Sequence, residues 1–355
     1  MAHPRAAVLV VAVLLAGVAG CRTGHGAASR PSASPSRVPA ASPSVSTVPS
    51  NAAAKSTVGA GGGPSIGGCP SFPAGNIWNA DVSRLPVSPH SGAYVAAIGA
   101  GAALHADFGA GSWQGTKMGF SVAYVKPGQP LVKVGFDYAG ESDRVGYPIP
   151  RDAPVEGGAN ADGDRHVLVV NTGTCKLYEL FDAHPNPGGS WHAGSGAVFD
   201  LRSNHLRPAG WTSADAAGLP ITPGLVRRDE VRRGRITHAL RITVPRTAAR
   251  YVWPARHSAS GAASTSLPPM GLRLRLKAGV QISGYPRDAQ VILRALKTYG
   301  AIVADNGSAW YLSGTNDSGW NNEVLGTLKG IKGADFEALD SGSLMGDRDS
   351  GRVRG

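Results

Sequence analysis

The chain has 355 residues, 42% hydrophobic and 17% charged, with 49 Gly and 26 Pro, enough for one large domain or two small ones. Gly and Pro together make up roughly a fifth of it, which excludes a long all-helical fold because both are poor in helix interiors. The net charge of +11 is uneven: residues 1–64 hold Arg5, Arg22, Arg30, Arg37 and Lys55 and no acid, leaving 30 cations against 24 acids afterwards. With no recognisable nucleic-acid module, that balance argues against nucleic acid as a partner.

At the N-terminus, Arg5 precedes an almost unbroken apolar run over 6–19 and then Gly20-Cys21. The run is shorter than the roughly 20 residues a membrane-spanning helix needs, and it reads as an export signal. Val18, Ala19, Gly20 and Cys21 resemble the lipobox of bacterial lipoprotein precursors. The resemblance implies a diacyl (palmitate-type) modification on the Cys21 sulfur and attachment to the outer face of the cell membrane; an ordinary secretory signal cut nearby is the alternative. Three cysteines are present, and lipidation of Cys21 leaves Cys69 and Cys175 to pair in an oxidising compartment, or to stay as two buried thiols. Residues 22–65 are Ser, Ala, Pro and Gly with almost nothing large and apolar, so they are expected to form a disordered tether. A single globular domain is expected over 66–345, with a frayed tail at 346–355.

The first helix is predicted after Ser88-Pro89, carrying Tyr94, Val95 and Ile98 toward Gly101. Segments 120–125, 131–138, 166–171, 175–181, 196–201, 238–244, 250–253 and 271–277 then read as short strands separated by turn residues. The expected fold is mainly β with a few packed helices (α+β), an antiparallel sandwich or barrel-like single domain. Leu272, Leu274 and Leu276 alternate with Arg273, Arg275 and Lys277, which puts the leucines on one face and the cations on the other. Val291, Ile292, Ala295, Leu296 and Tyr299 recur at helical spacing before Gly300. A hairpin is expected at Asp305-Asn306-Gly307.

Several chemistries are excluded by reading the chain: it has no phosphate loop, no His-Glu-x-x-His helix and no Cys-x-x-Cys. The one Gly-x-Ser-x-Gly string, at 63–67, contains Pro64 and cannot form a nucleophile elbow. Asn160, Asp162 and Asp164 alternate as calcium ligands would, but Arg165 and Asn171 stand where Gly and a bidentate Glu belong. Calcium is therefore the weaker reading against a plain acidic turn, and no metal or other cofactor is expected.

His166 shares its strand face with Leu168 and Val170, and Glu179 shares one with Leu177 and Phe181. A carboxyl on an apolar face has either a partner or a raised pKa, and a raised pKa suits a general acid. Glu179 is thus the first acid candidate, with Asp200 and Asp215 as possible partners. Tyr251, Trp253 and His257 alternate beside Arg256, a grouping that could stack on sugar and meet a uronate carboxylate. The cations Arg273, Arg275 and Lys277, and the cluster Arg227, Arg228, Arg232, Arg233 and Arg235, read as an acidic-polymer track or as solvated faces.

Asp164-Arg165-His166, Gly210-Trp211-Thr212-Ser213-Ala214-Asp215, Trp253-Pro254-Ala255-Arg256-His257 and Asp305-Asn306-Gly307 resemble a set of exported bacterial proteins with no established activity, over about half the chain. That resemblance implies an exported globular domain and supplies no catalytic residue. The leading expectation is a lipid-anchored, monomeric surface protein acting on polysaccharide as a hydrolase or lyase. Glu179, His166, His257 and Arg256 would be its catalytic groups, and Tyr251, Trp253, Asp200 and Asp215 its substrate contacts. The alternative is a non-catalytic lipoprotein that binds wall glycan or another acidic polymer.

Overall fold

The structure is a computed structural model that describes residues 63–355. The expected lipobox at Cys21 and nearly all of the expected 22–65 tether lie outside the described residues. None of the described helices is long and apolar enough to cross a membrane.

Over the described residues the domain is mainly β, with four α-helices, several sheets and no closed barrel. One open sheet has six strands in the order Phe336–Ala338, Arg273–Leu276, Ala301–Asn306, Leu240–Val244, Tyr311–Ser313, His105–Asp107. A second has four, in the order Ser195–Asp200, Lys176–Phe181, Val167–Asn171, Val122–Val125. Strand Val167–Asn171 is buried along its whole length because each face meets a different core. Val170 joins the main core and Leu168 a small cluster with Phe120, Ile221 and Leu225, while Val167 and Val169 pack with Tyr147, Leu180 and Trp191 on the other side.

The sheets are mixed, which corrects the expectation of antiparallel pairing throughout. Neighbours joined by tight turns are antiparallel, as in Val167–Asn171 with Lys176–Phe181. Leu240–Val244 runs parallel to Ala301–Asn306, and Val122–Val125 runs parallel to Val167–Asn171. In both cases a connection of forty residues or more gives the chain room to return in the same direction. The Asp305-Asn306-Gly307 hairpin does not form either. Leu240–Val244 lies between the two expected arms and pairs with both, and Gly307 donates its N–H to Val244 O at 2.9 Å. A buried apolar strand from sixty residues upstream takes the backbone groups that a hairpin would have used.

Both predicted helices are present. Ser91–Ile98 buries Tyr94, Val95 and Ile98; Arg287–Thr298 buries Val291, Ile292, Ala295 and Leu296. Gly300 follows at φ +66, where an added Cβ would sit 2.3 Å from Leu274 O, so only glycine lets the chain turn there into the next strand.

The alternation at 272–277 folds as a strand buried on both faces rather than as a charged track. Arg273 donates to Tyr299 O and Ile77 O, and Arg275 donates to Val82 O, Leu85 O and Glu337. These guanidiniums satisfy carbonyls of the irregular 77–85 segment, which a sheet could not reach. Cys69 and Cys175 form a disulfide with Cα atoms 5.4 Å apart, tying the segment near residue 69 to the strand Lys176–Phe181. The final ten residues pack rather than fray. Ile77 donates to Gly351 O, Gly351 to Asn204 O, and Val353 to Gly75 O.

Candidate functional site

A cleft of about 390 Å³ opens where the ends of both sheets meet. Asp305 and Asn306 reach it from the end of Ala301–Asn306, and Phe181 from the end of Lys176–Phe181. Asp164 enters from the loop before Val167–Asn171, Asp215 from the 211–217 loop, and His257 from the segment after the cis Trp253-Pro254 bond. Tyr138, whose ring is 57% exposed, stands at its edge.

The cleft floor is organised by Arg241. It is the one cation of the apolar strand Leu240–Val244 and is 3% exposed. Its Nε and Nη2 donate to the two Asp215 oxygens at 2.9 and 3.2 Å. Nη2 also donates to Asp305 Oδ2 at 3.0 Å, and Nη1 donates to Ser313 Oγ at 2.8 Å. The planar fork thus fixes two carboxylates at once, a geometry lysine could not supply. Burial, together with the neighbouring Asp215 charge, pushes the Asp305 carboxyl up to about 6, against the pull of Arg241. With 23% of its side chain exposed, Asp305 remains open to the cleft.

His257 adds a base. Its Nδ1 lies 2.8 Å from Ala216 O. A carbonyl only accepts, so Nδ1 carries a proton and donates it to that oxygen. Among the described residues Nε2 has no hydrogen-bond partner, and neither has the Asp164 carboxylate.

Of the residues proposed from sequence, the structure brings Asp215 and His257 to this cleft. His166 lies just behind it. Its Nδ1 is 2.5 Å from Glu156 Oε2 and its Nε2 is 2.9 Å from Ala214 O. Both partners are acceptors, so the ring carries both protons. Burial opposes the charge, but the Glu156 carboxylate outweighs burial and lifts His166 to about 9. His166 is a charged clasp on the loop that carries Asp215, not a catalytic group.

The remaining assignments are corrected. Glu179 is sealed at 0% exposure, with its oxygens accepting from Ile221 N, Thr222 N and Thr222 Oγ1, each at 2.8 Å. Burial raises its pKa, yet no substrate proton can reach it. It staples the 221–222 turn to the four-stranded sheet. Arg256 is buried against the tail, donating to Arg348 O at 2.6 Å and to Asp349 Oδ1 at 2.5 Å. Trp253 donates from Nε1 to Ser350 O at 2.9 Å. Both are therefore occupied in holding the C-terminus. Tyr251 is exposed, but its segment bridges Met270 away from the cleft lining. Asp200 caps the turn at Arg202 N and lines a different hollow.

In the Asn160–Asp164 loop, Arg165 Nη1 donates to Ala159 O at 3.0 Å and Ala161 O at 2.7 Å, so a guanidinium gathers the carbonyls there. Among the described residues no group of three or more His, Cys, Asp or Glu side chains is disposed to hold a metal.

Sequence reasoning missed Asp305, Arg241, Glu156 and Tyr138. Arg241 did carry a signal, since a lone cation inside an apolar strand needs a buried partner. Compared with known proteins, the chain matches no family model, no curated protein and no solved structure.

Proposed function

We propose that the chain is an exported polysaccharide hydrolase whose active site is the Asp305 cleft. The observation that carries the reading is Asp305 itself, a carboxyl held by Arg241 and the Asn306 N–H, open to the cleft and half-protonated near pH 6. A general acid for glycoside cleavage needs that proton at working pH. Asp305 donates it to the departing glycosidic oxygen as the bond to the anomeric carbon breaks. Asp164 either takes a proton from the water that attacks the anomeric carbon, or attacks that carbon itself to form a glycosyl ester, which a water deprotonated by the now ionised Asp305 then cleaves to free Asp164; either route adds one water across the glycosidic bond. Tyr138 supplies an exposed ring for a sugar face, and His257 Nε2 and Asn306 supply polar contacts to hydroxyls.

The export signal and lipobox at Cys21 support a lipid-anchored location outside the membrane, and the Cys69–Cys175 disulfide fits an oxidising compartment. The test is reducing-end release from xylan, laminarin, galactomannan and alginate by the purified chain, compared with Asp305→Asn. Release from one of these should fall by roughly 10²–10⁴-fold in the variant. An unsaturated uronate product from alginate would replace hydrolysis with elimination, and equal rates for both proteins would overturn the assignment.

A further inference from the structure

A second and larger cleft, about 640 Å³, lies along the edge strand His105–Asp107 of the six-stranded sheet. It shares no lining residue with the Asp305 cleft. Its wall is aromatic: His105 and Tyr311 stack with ring centroids 4.2 Å apart at 21°. A two-stranded ribbon, Ser112–Trp113 with Thr116–Lys117, also lines it and carries Trp113, a residue 69% exposed. An indole on so short a ribbon gains little from the fold by staying in water, and a ligand face would cover it.

Asn322 of this cleft is taken up by the Ala110 backbone, but the other larger polar side chains are uncommitted. Those of His105, Asp107, Tyr311 and Lys329 make no hydrogen bond or ion pair with any described residue, although all four line the cleft. A purely apolar ligand would dehydrate Asp107 and Lys329 without pairing them, which is costly. A polyanion would meet Lys329 only together with the Asp107 charge, a poor match for phosphate or uronate. A flat ring beside separate donors and acceptors of both signs suits a sugar, whose axial hydrogens cover the indole while its hydroxyls take the polar groups.

We infer that this cleft is a second, non-catalytic glycan-binding site that holds neutral polysaccharide on Trp113, with Asp107 and Lys329 bonding its hydroxyls. Its occupancy is independent of the chemistry assigned to the Asp305 cleft, because the two share no residue.

The test is affinity electrophoresis in acidic native gels containing xylan, laminarin, galactomannan or amylopectin, in the Asp305→Asn background so that the matrix stays intact. At least one of the four should retard the protein. Trp113→Ala should weaken that retardation about tenfold, equivalent to ~1.4 kcal/mol, Trp113→Phe should restore part of it, and Asp107→Asn should weaken it separately. On the Asp305 background retained as wild type, Trp113→Ala should leave reducing-end release from short oligosaccharides unchanged. Retardation unaffected by Trp113→Ala, or no retardation by any of the four, would overturn the inference. Loss of hydrolysis with retardation intact would bear only on the Asp305 cleft.

Discussion

Replacing Arg241 with methionine keeps an apolar stem of similar reach and removes the guanidinium that holds Asp215 and Asp305. Asp215 is fully buried, so its charge is left without a partner, and removing one member of a buried ion pair costs about 3–5 kcal/mol. The loss should depend on pH with a definite sign. Burial already raises both carboxyls and Arg241 opposes that rise, so Arg241→Met lifts them further above the unfolded value of about 3.9 and the folded state binds more protons than the unfolded one. Stability then falls as pH rises from about 4 toward the folded pKa, by about 1.4 kcal/mol per pH unit for each carboxyl in its titrating range. Lowering the pH from 7.5 to 5.0 should therefore recover part of the deficit, because losing Arg241 raises the two carboxyls further than burial already does in the wild type. Urea unfolding midpoints of wild type and variant at the two pH values measure this directly. A deficit under about 1 kcal/mol at pH 7.5, or one that is the same at both pH values, would refute the view that Arg241 balances the charge of buried Asp215 and half-open Asp305.

Removing the disulfide by Cys69→Ala with Cys175→Ala opens a loop spanning a separation of 106 residues. The chain-entropy relation gives an upper loss of about 4–5 kcal/mol, to be read as a fall in calorimetric Tm. Truncation after residue 345 strands the buried Arg256 guanidinium and frees the Trp253 indole, so urea titration should show a loss of about 3–5 kcal/mol. His166, lifted to about 9 by Glu156, contributes stability that is complete below about pH 6.5 and is lost as pH rises through 9. Thermal melts should decline across that window in the wild type, and Glu156→Gln should flatten the decline.

The mainly β character and both longer helices were legible because they rest on local patterns. Val291, Ile292, Ala295 and Leu296 repeat at helical spacing whatever surrounds them, and the Val-rich 167–170 run has nowhere to go but a buried strand. His166 and Glu179 were rightly read as polar groups on apolar faces. What they do there depends on segments far along the chain, Glu156 for one and the Ile221–Thr222 turn for the other. Asp305-Asn306-Gly307 carries the letters of a hairpin turn, and only the insertion of Leu240–Val244 between its arms makes Asp305 a strand-end carboxyl facing Arg241. Arg256 and Trp253 have the composition of a sugar site, yet the C-terminal segment supplies the partners that bury them. For His166 and Glu179 periodicity gave the burial, for Asp305 and Arg256 it did not, and in all four non-local pairing decided the chemistry.

The carboxyl carbon of Asp305, followed by NMR through a pH titration and assigned with Asp305→Asn, tests the central claim most directly. A midpoint near 6, moving when a cleaved polysaccharide or its oligosaccharide product is added, is the predicted result. A midpoint near 4 that is indifferent to every such glycan would contradict it, because the cleft would then hold an ordinary ionised carboxylate with no proton to give.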